Sequence, residues 1–198
     1  RGSIHPPFHN DYMPIDEHNP YLGYARSFQA LMEEGQNLPY GGFQPSPKAT
    51  TKKNAPVVLV LSPHPDDECI IGGLPLRLMK EGDFRVLNVA ITQGSNPTRK
   101  QERLNELKGA CEWIGFELIQ TGPSGLDRIR PETASESPTQ WSDSVNILKG
   151  IFLKHQPVAI FVPHAKDWNQ THLGTHLLAI DALKKGKGSV ELEALNGQ

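Results

Sequence analysis

Five consecutive apolar residues, Val57–Leu61, run almost directly into His64-Pro65-Asp66-Asp67-Glu68. A short, wholly apolar run is the mark of a strand buried on both faces, as parallel sheets require. Such a strand delivers an imidazole and three carboxylates to one point at the edge of a sheet. Carboxylates crowded together repel, and the usual remedies are a shared proton or a bound cation. Gly72-Gly73 and an amphipathic stretch follow. The polar run therefore sits at a strand-to-helix turn, where open α/β sheets bind their ligands.

The alternation continues along the chain. Leu74, Leu76, Leu78 and Met79 before Gly82 predict a helix, Arg85–Thr92 a second strand and Phe116–Gln120 a third. Between them, Leu104, Leu107, Ala110, Cys111 and Ile114 fall at helical spacing, which predicts a helix over Lys100–Ile114 capped by Gly115. Gly122–Gln140 is rich in Gly, Pro, Ser and Glu and reads as one long loop. Ser142–Lys154 then reads as a helix, Val158–Val162 as a fourth strand and His172–Lys185 as a last helix. Strands alternating with helices imply parallel pairing and right-handed crossovers. The expected class is α/β, a Rossmann-like three-layer sandwich with a mostly parallel sheet. A doubly wound domain normally has a fifth strand; either the chain is truncated before it or Val190–Leu195 serves as an edge strand.

At 198 residues, with 20 basic and 22 acidic side chains, one main domain is expected over 56–198. Residues 1–55, rich in Pro, Asn and Gly, read as an irregular extension and linker. One helix is expected there over Tyr24–Glu34, with Phe28, Leu31 and Met32 on one face and Gly35 ending it. That face would pack on the main domain or on a second copy of the chain, unless the segment is a loose arm. No single-sign charge run calls for nucleic acid, and no apolar stretch reaches the ~20 residues of a membrane span. Two cysteines, Cys69 and Cys111, make no disulfide framework. Both are expected as buried free thiols, which points to a cytoplasmic setting.

A second polar cluster, His164-Ala165-Lys166-Asp167-Trp168-Asn169-Gln170-Thr171-His172 with His176 beyond it, also follows an apolar strand and opens a helix. His172 and His176 share a helical face. A catalytic divalent metal needs about three N or O ligands and an open position. His64, Asp67 and one of His172 or His176 meet that count. The absence of thiolate suits Zn²⁺ and admits Fe²⁺, Mn²⁺ or Co²⁺. Asp66 is left as a general base. Glu68 reads as orienting a ligand imidazole or capping the next helix. Arg99 and Arg103 are placed to hold substrate or to pair with carboxylates, and Lys100 to lie in solvent. Trp168 reads as a sugar-stacking surface or as core, and Trp113 as packing.

His64-Pro65-Asp66-Asp67-Glu68 with Gly72-Gly73 resembles the opening motif of the PIG-L/LmbE-like deacetylases. These are zinc enzymes related to N-acetylglucosaminyl-phosphatidylinositol de-N-acetylase. The resemblance spans about Val57–Leu183, with Thr92-Gln93-Gly94 and the pattern Arg103, Glu106, Ala110, Gly115. It implies that His64 and Asp67 bind zinc and that Asp66 is the base. The family's second motif runs Asp-x-His-x-Asp-His, and here Asp167-Trp168-Asn169-Gln170-Thr171-His172 stands in its place. His172 then aligns with the third ligand, while Asn169 replaces the His that polarises the acyl oxygen. An amide can donate to an oxyanion but cannot protonate a leaving amine, which leaves His164 and His176 as candidates for that step. The implied activity is removal of an N-acyl group, most simply acetyl, from an amino sugar or glycoside. The alternative is a non-catalytic metal- or sugar-binding member of the same fold. A nucleotide-binding Rossmann enzyme is disfavoured, since no Gly-x-Gly-x-x-Gly follows the first strand.

Overall fold

The computed structural model describes residues 19–38 and 51–186. The chain divides into two compact units, Arg1–Gln44 and Pro45–Gln198, each taken by itself. In the first, α1 spans Pro20–Gly35, with Asn19 accepting the Tyr21 N–H at its start. Phe28, Leu31 and Met32 on this helix are all exposed.

The second unit is built on β1 (Val57–Ser62), β2 (Arg85–Ala90), β3 (Glu117–Gln120) and β4 (Ala159–Phe161). They form one sheet in the order β3-β2-β1-β4, parallel at every pairing. All six residues of β1 are buried, as its unbroken apolar run requires. Alternate residues face opposite layers. Leu59 and Leu61 with Leu87 and Val89 pack under Trp141, Val145 and Leu148 of α6 (Pro138–His155) and Leu178 of α7 (Gln170–Lys185). Val60, Val86 and Ala90 turn the other way. They meet Met79 of α3 (Gly73–Gly82) and Leu107 and Cys111 of α4 (Lys100–Ile114). This is the expected α/β sandwich.

The sheet grows from β1 through β2 to β3 in one direction, and β4 then adds on the far side of β1. The crossover direction reverses between β1 and β4, so a crevice opens beyond their carboxyl ends. Both polar clusters of the sequence follow these two strands.

The structure corrects several expectations. Gly122–Gln140 is not one loop: it holds α5 (Thr133–Glu136), and α6 begins at Pro138 rather than Ser142. Pro is suited to a first helical turn, but that turn is polar and carries no apolar stripe. Cys69 is exposed, not buried. Its helix, α2 (Asp67–Ile70), is a single turn and presents no continuous buried face. Cys111 is buried, which pushes its thiol up to about 11. Trp113 is largely exposed. Val190–Leu195, the proposed edge strand, lies outside the described residues. Among the described residues no helix is long and apolar enough to cross a membrane.

Candidate metal-binding site

The turn after β1 brings His64 onto the edge of the sheet and starts α2 at Asp67. Asp67 is 4% exposed, and its Oδ2 accepts the backbone N–H of His64 at 2.8 Å. Nδ1 of His64 lies 3.5 Å from the same oxygen, and Nε2 of His172 lies 3.5 Å from Oδ1. One ligand atom from each of His64, Asp67 and His172 falls within 4.8 Å of the others. The two imidazoles stand 5.2 Å apart between ring centroids.

His172 is aimed by what precedes it. Asn169 caps α7: its Oδ1 accepts the N–H groups of Thr171 at 2.8 Å and His172 at 3.4 Å. Asp167 accepts the Asn169 N–H at 2.9 Å, and its other oxygen is hydrogen-bonded to Nδ1 of His172 at 3.0 Å. That carboxyl is held below its ordinary range chiefly by the Asn169 N–H, which outweighs the opposing effect of burial, with further help from His172. A carboxylate behind Nδ1 leaves Nε2 free to ligate, the usual arrangement behind a metal-binding imidazole. Two imidazoles and one carboxylate, with this support, make a donor set fit for a divalent ion such as zinc.

Asp66 stands beside this cluster with its side chain 66% exposed and 3.5 Å from Arg103. Its φ is +125°, a backbone state that residues with side chains avoid. Of the two readings of Glu68, capping holds: Glu68 reaches back to Asp66, the N-cap of α2, and among the described residues makes no hydrogen bond to a ligand imidazole. Its Oε2 accepts the backbone N–H of Asp66 at 3.0 Å.

His64, Asp66, Asp67, Asn169 and His172 all line one cavity of about 660 Å³. Trp168, at its rim, is 88% exposed, so it is no part of the core. The structure does not bring His164 or His176 into this lining. His164 is exposed, with Nδ1 accepting the Lys166 N–H, while Nδ1 of His176 is bonded to the Pro163 carbonyl. Lys100 is not solvated; it pairs with Asp127 at 2.7 Å. Arg99 pairs with Glu102.

Sequence reasoning missed Arg128 and Arg130, which line the same cavity. They flank Ile129, which is 2% exposed and anchored in the core. Gly125 and Gly174 permit this path, because a Cβ at either would strike backbone of the neighbouring segment. The length of the turn-rich stretch was the only signal. A second cavity, about 590 Å³ between Gly125–Asp127 and the start of α6, contains no such cluster among its lining residues.

Residues 59–183 match the PIG-L family, described as GlcNAc-PI de-N-acetylase. The chain belongs to the PIG-L family. The resemblance read from His64–Glu68 thus extends through the last helix. Two solved structures of a deacetylase from the biosynthetic pathway of teicoplanin are similar to this PIG-L chain. The triple mutant is 16% identical with a TM-score of 0.51, over 70% of each chain. The bog complex is 18% identical with a TM-score of 0.50, over 69% of this chain and 72% of that one. The 4-carboxy-2-hydroxymuconate hydratase of Pseudomonas putida KT2440 is 20% identical with a TM-score of 0.49, over 65% of this chain. The chain spans 55% of that hydratase's length. These likenesses concern the fold. No curated protein matches the chain.

Proposed function

We propose that this PIG-L chain is a metal-dependent N-deacetylase, using zinc to remove an acetyl group from an amino sugar or related glycoside. The catalytic domain would span 56–198, with 1–55 as its extension. The observation that carries this reading is the convergence of His64, Asp67 and His172 beside Asp66, in one cavity at the switch point of the sheet.

His64, Asp67 and His172 would hold the metal. When bound, a divalent ion of this kind polarises an acyl oxygen and lowers the pKa of water. Asp66 has no ligand duty in this scheme and takes the proton of the attacking water. The oxygen of Asn169 is committed to the helix cap, which leaves its NH₂ to donate to the charge that develops on the acyl oxygen. His164 and His176 lie outside the cavity lining, so protonation of the departing amine falls to Asp66. The proton then passes from water to Asp66 and on to the amine, and no further group is required. The open cavity and the exposed Trp168 face suit a sugar ring.

The test is release of acetate from N-acetylglucosamine and its glycosides, by the zinc-loaded chain and by the chelated one. Zinc-dependent release is expected. Asp66→Ala should keep the metal and lose about 10²-fold or more in rate. Full zinc occupancy with no acetate released would assign the chain a binding role instead.

A further inference from the structure

The peptide unit joining Pro65 to Asp66 is held at both ends by charged side chains. Its N–H donates to Oε2 of Glu68 at 3.0 Å, and its carbonyl accepts from Nη2 of Arg103 at 2.8 Å. The same guanidinium nitrogen lies 3.5 Å from Oδ2 of Asp66. One peptide plane is thus gripped from both sides, next to the residue whose φ is +125°. A non-glycine residue in such a state is disfavoured by roughly tenfold or more unless its surroundings impose it.

Both clamping groups are costly to place. Glu68 is 1% exposed, and among the described residues no cation pairs with it. A buried carboxylate without a cation needs hydrogen-bond donors in compensation, and the Asp66 N–H is the principal one; the Cys69 thiol, 3.5 Å from Oε1, adds only a weak donor. Two glycines make the room. A Cβ at Gly72 would run into the Glu68 carbonyl, and one at Gly94, whose φ is +82°, would sit 2.8 Å from Nη1 of Arg103. Gly94 is itself held by the Thr92 hydroxyl, which donates to the Pro63 carbonyl and so staples the turn after β2 to the turn after β1.

We propose that Glu68 and Arg103 are positioning residues that fix the Pro65–Asp66 peptide and thereby orient the Asp66 carboxylate toward the metal site. The inference rests on Asp66 being the base in the reading above. It gives separate work to three features of the sequence: the last acid of the first motif, the glycine after β2 and the arginine of α4.

The discriminating experiment is urea unfolding of the full chain carrying Asp66→Gly or Asp66→Ala, with the clamp intact and in a Glu68→Ala, Arg103→Met background. With the clamp intact, glycine should give an unfolding equilibrium constant about tenfold smaller than alanine, because glycine accepts a positive φ freely. Without the clamp the peptide is free to turn, and the glycine advantage should vanish or reverse. A glycine advantage of unchanged size in that background would show that the fold alone imposes φ, and would overturn the proposal.

Should the double background fail to fold, Arg103→Met alone decides. Its kcat for acetate release from N-acetylglucosamine should fall by about 30-fold or more, as expected for a misplaced base. KM should stay within about threefold of wild type on the same argument, and zinc should still bind at a single equivalent, since a positioning role removes no binding contact. Glu68→Gln, whose amide oxygen still accepts the N–H, should restore most of the kcat that Glu68→Ala loses. A rise in KM at constant kcat for Arg103→Met would instead make it a substrate contact and overturn the proposal. If the wild type releases no acetate, the deacetylase reading fails, while the glycine–alanine comparison still decides the clamp.

Discussion

Gly174 sits near the start of α7 against the segment that carries Arg128 and Arg130, and Gly174→Ala tests how tightly that segment is packed. A Cβ there would stand 2.5 Å from the Ile129 carbonyl oxygen and 2.6 Å from the Arg130 nitrogen. These are backbone atoms and cannot rotate away as a side chain would. Regaining ordinary contact at 3.4 Å requires a retreat of about 0.9 Å. Ile129 would move with it, out of a cluster in which it is 2% exposed. Overpacking of this kind costs about 1–3 kcal/mol or more. Replacing a helical glycine by alanine returns up to about 1 kcal/mol, so the net loss should be about 1–2 kcal/mol. Gly150, within α6, is the control: a Cβ there meets nothing within 4 Å, and Gly150→Ala should stabilise by about 0.5–1 kcal/mol. The same chemical change thus carries opposite signs at two helical sites, about 1.5–3 kcal/mol apart. Urea midpoints at constant m-value measure both. Equal stability of the two variants, within about 0.5 kcal/mol, would refute the packing argument.

Asp167→Asn removes the charge behind Nδ1 of His172 while leaving an acceptor for the Asn169 N–H; zinc affinity should fall by about 10–100-fold, measured by competition with a chelating dye. His155, near the C-terminus of α6, titrates below its ordinary range, chiefly because of burial and then the charges of Lys154 and Arg85. The folded state therefore favours its neutral form. Its contribution to stability is full above the unfolded pKa of 6.5 and is lost as pH falls through the lower folded value. Urea midpoints should drop between pH 7.5 and 5.5, and His155→Gln should flatten part of that slope.

Much of this fold was legible because its strands are short, apolar and followed by glycine-marked helices. The helix over Lys100–Ile114 was readable to the residue, since Leu104, Leu107 and Cys111 all face the core. The stretch before α6 was not: α5 is a single turn, and Pro138-Thr139-Gln140 shows no apolar period to distinguish helix from loop. Cys69 misled for a related reason, because its apolar surroundings suggested a continuing helix where α2 stops at Ile70. His64, Asp67 and His172 were readable together because each follows a parallel strand and parallel strands gather their carboxyl ends. The φ of Asp66 was not, as a backbone turn forced by tertiary contacts leaves no periodic trace. His176 lies one helical turn beyond His172, and that distance moves it from the cavity to the Pro163 carbonyl.

The central claim is that His64, Asp67 and His172 bind one metal ion while Asp66 does not. Calorimetric titration of zinc into the chelator-stripped chain tests it directly. One equivalent should bind to wild type and to Asp66→Ala, and tight binding should be lost in Asp67→Ala and in His172→Ala. Undiminished binding by His172→Ala would contradict the account.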